Sequence, residues 1–110
     1  MNKVTFEVDN DIDIKGTSKR GTITATFSEI VRVFGEPKRG NGSGIYNEWR
    51  IQFRVPDSLE DDDDFDYEIA TIYDWAAQGD PMKYPTKEFK FMIGGMNMEA
   101  PYLVHQLLGK

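Results

Sequence analysis

Basic and aromatic side chains at alternate positions are the feature of this sequence best suited to chemistry. Tyr46, Glu48 and Arg50 occupy even positions of the segment 45–54, whose odd positions are mainly apolar. In an extended strand, alternate residues project from the same face. Tyrosine and arginine stack on nucleotide bases, and arginine also binds phosphates. This face therefore predicts a binding site for a small anionic ligand.

Neighbouring segments supply the rest of the predicted site. Residues 38–44 form a basic, glycine-rich connection into the strand, and such backbones can contact anions through their N–H groups. Phosphate-binding loops usually lead into a helix instead, so an ordinary linker and an anion-contacting flap both stay open. The alternative interpretation is that these residues form a solvated sheet face with cross-strand ion pairs and no binding site. The predicted ligand-binding residues are Lys38, Arg39, Tyr46, Arg50 and Tyr73.

Catalytic and metal-binding residue sets are largely missing from the sequence. The chain has one histidine and no cysteine, so it lacks the usual base for a nucleophile and the usual zinc ligands. That histidine, His105, is predicted to face solvent from the last helix. The Asp-x-Asp-x-Asp segment at 9–13 has Ile14 and Arg20 where a calcium loop needs Gly and Glu. We therefore predict no catalytic residue, no metal and no cofactor.

Two carboxylates leave a weaker enzymatic alternative. Glu48 and Asp74 lie on strands predicted to be neighbours, and paired carboxylates can act as acid and base. Two half-exposed strand residues facing Arg50 are the simpler interpretation. A small hydrolase stays open on this pair alone.

Charge is distributed unevenly along the chain. The net charge is −6, with nine Lys/Arg against seven Asp/Glu through Val55 and four against twelve from Pro56 onward. The acidic half argues against direct nucleic-acid binding, which needs a basic face. The acidic run is either a solvated hairpin loop or a contact for a basic host protein. The run consists of Glu60, Asp61, Asp62, Asp63 and Asp64.

Hydrophobic periodicity predicts a single α+β domain over residues 1–110. Its sheet is mainly antiparallel, with four to five strands and two helices packed on it. We expect Ser28 to cap the first helix and Asn97 the second. Trp49 and Trp75 are both expected in the core. The predicted strands cover residues 4–8, 21–27, 45–54, 67–75 and 88–93, and the helices cover residues 29–34 and 97–108.

Four short motifs carry a resemblance to small, mostly uncharacterised tailed-phage proteins. They are Phe-Gly-x-Pro at 34–37, Glu-Trp-x-Ile at 48–51, Ala-Thr-Ile-Tyr-Asp-Trp at 70–75 and Ile-Gly-Gly at 93–95. The resemblance implies a phage origin, and hence the cytoplasm of the infected host cell, but it supplies no catalytic residues. Small early phage proteins commonly antagonise host defences.

These observations together predict a non-enzymatic phage accessory protein that counters host antiviral defence by binding. Its expected partner is a small anionic signal of the cyclic-nucleotide type, which it would sequester. The alternative is direct inhibition of a host defence or nucleic-acid-binding protein through the acidic run. No apolar run approaches the ~20 residues of a membrane span, so no membrane partner is expected. A homo-oligomer stays open.

Overall fold

The computed structural model describes residues 4–40, 44–56 and 65–110. In these ranges the chain forms one sheet of six strands, two α-helices and two short 3-10 turns. The predicted α+β domain is confirmed, with a sixth strand of only two residues in addition. The strands are β1 (Thr5–Val8), β2 (Ser18–Thr26), β3 (Lys38–Arg39), β4 (Asn47–Pro56), β5 (Phe65–Tyr73) and β6 (Glu88–Gly95).

The sheet is antiparallel at every pairing of these strands. Its order is β1–β4–β5–β6–β2. The short strand β3 pairs with the first residues of β4, on the same edge of β4 that pairs with β1 at residues 51–54. The order places β5 inside the sheet, as expected for a strand with apolar residues at both odd and even positions, and places β4 beside it. The acidic run 60–64 belongs to the connection between β4 and β5 and lies outside the described residues.

The core lies on one face of the sheet, which we call the helix face. In β4 the odd-numbered side chains are buried there, so the period-two prediction is confirmed. Trp49 is 0% exposed, lies against the rings of Phe27 and Phe91, and donates its indole N–H to the Gly35 carbonyl at 2.8 Å. Burial of this indole is favourable because its polar atom has a partner.

Helix α1 (Phe27–Phe34) begins two residues earlier than expected, because Thr26 caps it instead of Ser28. The Thr26 hydroxyl accepts from the Glu29 N–H at 3.0 Å, and the Glu29 carboxylate accepts from the Thr26 N–H at 2.9 Å. This reciprocal pair is a capping box. The backbone bond from Thr26 lowers the pKa of Glu29. Gly35 ends the helix as predicted, with a φ of 84°.

Helix α2 (Glu99–Leu108) packs its predicted apolar stripe on the sheet, with Ala100, Leu103 and Val104 buried. Asn97 does accept from the Glu99 N–H at 2.9 Å, but Met98 is the N-cap residue. His105 is half-buried, so its predicted solvent-facing position is wrong. Its Nε2 lies 2.8 Å from the Thr22 carbonyl on the edge strand β2 and donates to it, since a carbonyl only accepts.

The opposite face of the sheet, which we call the outer face, has no helix on it among the described residues. Residues 9–17 join the two edge strands β1 and β2 and touch this face at Arg50. Arg50 donates from Nη1 to the Ile12 carbonyl at 3.2 Å, and its own carbonyl accepts from the Asp9 N–H at 3.1 Å. Part of the outer face is thereby covered, and Thr71 and Met92 on it are buried.

The four short motifs at 34–37, 48–51, 70–75 and 93–95 are brought together by the sheet and the first helix. Trp49 of the second is bonded to Gly35 of the first. A side-chain Cβ at Gly94 of the fourth would lie 2.4 Å from the hydroxyl of Thr71 in the third. Glycine at this position therefore permits the close approach of β5 and β6. These motif residues act as determinants of the fold.

Candidate functional site

The predicted ligand-binding residues converge on one corner of the sheet, where β3 meets the start of β4 and the end of β5. The register pairs Lys38 with Glu48 and Arg39 with Asn47. It also pairs Glu48 with Tyr73. Because neighbouring residues of a strand point to opposite faces, the corner has two distinct surfaces. We refer to it below as the corner.

The helix face of the corner holds a network of polar side chains. Arg39 donates to Asn47 Oδ1 at 2.7 Å and forms two bonds to Asp80, at 2.7 and 3.2 Å. Asn47 Nδ2 in turn donates to Asp74 Oδ2 at 2.7 Å and to Asp80 Oδ1 at 3.1 Å. Asn47, Asp74 and Asp80 are all buried. The amide of Asn47 is thus the junction between two carboxylates.

Backbone donors complete this network. The Tyr46 N–H donates to Asp74 Oδ1 at 2.7 Å, and the Met82 N–H donates to Asp80 Oδ1 at 3.1 Å. Among the described residues no buried side-chain polar atom lacks a partner. Three separate segments, the β3–β4 hairpin, the end of β5 and the 3-10 turn Pro81–Lys83, are therefore held together by matched hydrogen bonds.

The ion pair between Arg39 and Asp80 shifts the pKa values of both groups. The hydrogen bonds from Arg39 lower the pKa of Asp80 below its usual 3.8, against the opposing effect of burial. The same contact raises the pKa of Arg39. Both groups stay charged at neutral pH. A carboxylate held in this way is a poor general acid or base, since neither role suits a group with a lowered pKa and all partners filled.

Glu48 and Asp74 do not form the carboxylate pair of the hydrolase alternative. Asp74 lies in the helix-face network, whereas Glu48 lies on the outer face opposite Tyr73 in register. The β4 backbone separates them. Glu48 is instead bonded to Arg50, from Nε to Oε1 at 2.9 Å.

The outer face of the corner carries three of the five predicted ligand-binding residues. Lys38, Glu48 and Tyr73 form one cross-strand row, and Arg50 lies opposite Thr71 in the next row. Tyr46 stands in a bend just before β4, at the edge of this surface. Arg39 does not lie there, because its register with Asn47 places it on the helix face. It therefore cannot act from the same face as Arg50.

Two of these outer-face residues are only partly accessible. The Arg50 guanidinium is bonded to Glu48 and to the Ile12 carbonyl. The Tyr73 ring is half-buried, and burial raises the pKa of its phenol above 10, with a smaller contribution from the Glu48 charge. Tyr73 is therefore a neutral phenol at physiological pH. Lys38, by contrast, is exposed.

Exposed aromatic rings mark the end of this surface. Tyr46 is 37% exposed and Trp75 is 59% exposed. The expectation that Trp75 lies in the core is wrong, because β5 ends at Tyr73 and Trp75 stands beyond it. Trp75 stands two residues beyond Tyr73, with an extended backbone, and so projects on the side of Tyr73. Of the two rings, that of Trp75 is the more accessible to a planar ligand.

Trp75 is the exposed aromatic residue of the corner that the sequence pattern does not reveal. Tryptophan is usually buried, so the sequence predicts it in the core. A contrary signal is its position after Asp74, since a polar residue at an inward-facing position predicts the end of a buried strand. Asn47 gives the same signal at the inward parity of β4. Asp80 gives none, because it lies in an irregular segment between two 3-10 turns.

A cavity lies at the other end of the outer face. Its volume is about 360 Å³, and Tyr67, 61% exposed, stands at its side. Its remaining lining residues are Thr5, Phe6, Glu7, Gln52 and Arg54. In the described ranges no group of three or more His, Asp or Glu residues could hold a metal ion. No helix in these ranges is long and apolar enough to cross a bilayer.

Comparison of the chain with protein-family models, with curated proteins and with solved structures finds no match. The functional argument therefore rests on the geometry of the corner.

Proposed function

We propose that this protein acts by binding, without turnover, a small anionic ligand that carries an aromatic ring. The binding surface is the outer face of the corner. The ligand class is that of a cyclic nucleotide, and the consequence of binding is sequestration of the ligand.

One observation carries the proposal: the Trp75 side chain is exposed, while hydrogen bonds of its two chain neighbours hold its backbone in place. Its neighbour Asp74 is buried and bonded to the Tyr46 N–H and to Asn47. The Ala76 N–H is bonded to the Gly44 carbonyl at 2.8 Å. An exposed large aromatic side chain on a rigid scaffold has low entropy to lose on binding. Stacking of a base on such a ring contributes about 1–3 kcal/mol.

The charges of the outer face suit an anion bound beside these rings. Lys38 is exposed in the row that contains Tyr73, so its ammonium group can contact a phosphate. Arg50 adds a second positive charge, although Glu48 offsets it. Arg39 lies on the other face, where Asp80 offsets its charge. Lys38 is therefore assigned the phosphate contact, and Tyr46 and Trp75 the ring contact.

The biological role that we propose follows from the resemblance to phage proteins. A small phage protein that removes a nucleotide signal would counter a host defence that depends on that signal. Such a protein would work in the cytoplasm of the infected cell, where the signal is made. This part of the proposal rests on association, since a fold alone does not define a function.

Equilibrium dialysis against cyclic and linear nucleotides tests the proposal. We expect the protein to deplete one or more of them, and heat denaturation to release the ligand chemically intact. Trp75→Ala should weaken binding about tenfold or more, as expected for a lost stacking contact. Tyr67→Ala is the matched control, because it removes an equally exposed ring from the other end of the same face.

Three results would overturn the proposal. No depletion by any nucleotide removes the ligand class, and recovery of a chemically altered ligand indicates an enzyme. Equal binding by Trp75→Ala and the native protein removes the corner as the site.

Direct inhibition of a host protein is the second candidate function, and the chain topology allows it to be tested separately. The acidic run 60–64 connects β4 to β5, whereas the corner contains the opposite ends of these strands. Charge reversal of Asp61–Asp64 should therefore leave nucleotide binding intact. If inhibition of the host target is lost in that variant while the Trp75→Ala variant still inhibits, the acidic run is the functional surface.

A further inference from the structure

We infer that the ring of the ligand is guanine, recognised by the carboxylate of Glu48. This inference rests on the proposed function, because it concerns the same surface. It adds a specificity-determining residue to a site that otherwise provides only stacking and charge.

Glu48 is a partly buried acceptor in a fixed position. Its Oε1 accepts from Arg50 Nε at 2.9 Å, and Arg50 is held in turn by the Ile12 carbonyl. In the described structure its Oε2 accepts no hydrogen bond, and the side chain is 18% exposed. A carboxylate oriented by a second residue, with one oxygen that has no protein donor, is suited to receive donors from a ligand.

The position of Glu48 relative to the exposed rings fits the edge of a stacked base. Glu48 pairs with Tyr73 in register, and Trp75 lies two residues beyond Tyr73 with an extended backbone, diagonal to Glu48. Side chains two residues apart on one face, or diagonal across a strand pair, lie about 7–8 Å apart. A purine stacked on Trp75 therefore extends one edge toward the carboxylate.

Hydrogen-bond chemistry distinguishes the bases at this position. The Watson–Crick edge of guanine offers two adjacent donors, N1–H and the N2 amino group, which match the two oxygens of a carboxylate. Oε1 of Glu48 can take part because it keeps a second lone pair beside the bond from Arg50. Adenine offers the N6 amino group beside the N1 acceptor, so one carboxylate oxygen would face a lone pair. A site built to accept from a ligand disfavours an analogue that lacks the donor. Lys38, in the same row, remains available to the phosphate.

Equilibrium dialysis with 3′,5′-cyclic GMP, cyclic AMP and cyclic IMP measures this preference. Each of the three ligands carries the same 3′,5′-cyclic phosphate, and the inosine compound has N1–H but lacks the N2 amino group. We expect cyclic GMP to bind about tenfold or more tightly than cyclic AMP, with cyclic IMP between them. In Glu48→Gln the ratio should fall toward one, because the amide presents a donor in place of one acceptor. Glu7→Gln, which removes the same charge from the far end of the outer face, should keep the native ratio.

The outcomes test the guanine inference separately from the proposed function. Equal or tighter binding of cyclic AMP overturns the guanine inference and leaves the proposed function standing. A guanine preference that survives Glu48→Gln overturns the role of Glu48. Absence of binding to all three ligands and to the wider nucleotide panel overturns both.

Discussion

The two faces of the corner are built from the same three strands but differ in how their polar groups are used. On the helix face, Arg39, Asn47, Asp74 and Asp80 fill one another's hydrogen-bonding capacity. On the outer face, one oxygen of Glu48 and the ring of Trp75 have no partner among the described residues. A buried and matched network fixes a structure, whereas unmatched groups on a fixed backbone can bind a ligand.

The difference between the two faces is clearest at Lys38 and Arg39. They are adjacent in sequence and both basic, but β3 pairs them with Glu48 and Asn47 on opposite faces. One is thereby available to a ligand, and the other is bonded to Asp80. Residue type alone would assign them the same role.

Replacement of each tryptophan by alanine should give the largest difference in the free energy of unfolding. Trp49→Ala removes a fully buried ring and its bond to Gly35, so we expect a loss of about 3–5 kcal/mol in the free energy of unfolding. Trp75→Ala removes an exposed ring and should change that free energy by no more than about 0.5 kcal/mol. Denaturant unfolding measures both.

If Trp49→Ala does not fold, Trp49→Phe keeps most of the packing and removes only the indole N–H. A large loss of stability in Trp75→Ala would show that Trp75 serves the fold, and the division between the faces would then be wrong.

Asn47→Ala should have the next largest effect. It removes the donor that joins Asp74 to Asp80 and the acceptor for Arg39, leaving buried groups with fewer partners. Loss of a buried partner costs about 1–3 kcal/mol, and more where the remaining group is charged. Gln52→Ala, on the outer face of the same strand, is the control and should stay within about 0.5 kcal/mol. Equal stability losses from the two changes would contradict the structural role of the network.

Acid titration gives a smaller effect with a definite sign. The pKa of Asp80 is lowered in the folded protein from 3.8, chiefly by the hydrogen bonds from Arg39. The stabilisation is therefore present above pH 3.8 and is lost as the pH falls through the lowered pKa. Denaturant unfolding between pH 6 and pH 2 should show a decline below pH 3.8 that is reduced in Asp80→Asn. An equally steep decline in that variant would assign the acid sensitivity to other carboxylates.

The fold could be predicted from the sequence where one face of an element is buried. Period-two alternation located β4, and the apolar stripe located α2, because both patterns follow from backbone geometry. The contribution of His105 could not be predicted in this way, since its partner is a backbone carbonyl of a distant strand. Thr26 and Ser28 are both good caps in sequence, and only the helix start in three dimensions distinguishes them.

The site could be predicted only in part. Parity within β4 places Glu48 and Arg50 on the face away from Trp49. The face of Arg39 depends on the register of a two-residue strand, which has no hydrophobic pattern of its own. Arg50 was expected to be available for phosphate, but its partner carbonyl at Ile12 comes from a connection that crosses the sheet.

Tryptophan fluorescence during nucleotide titration tests the central claim most directly, because Trp75 is exposed and Trp49, the other tryptophan of the chain, is buried. We expect a bound nucleotide to quench the emission of the native protein and of Tyr67→Ala. The Trp75→Phe variant, which retains only Trp49, should lose this response. A nucleotide that binds by dialysis but leaves the Trp75 emission unchanged, or that quenches Trp75→Phe to the same extent, would contradict the assignment of the outer face of the corner as the binding surface.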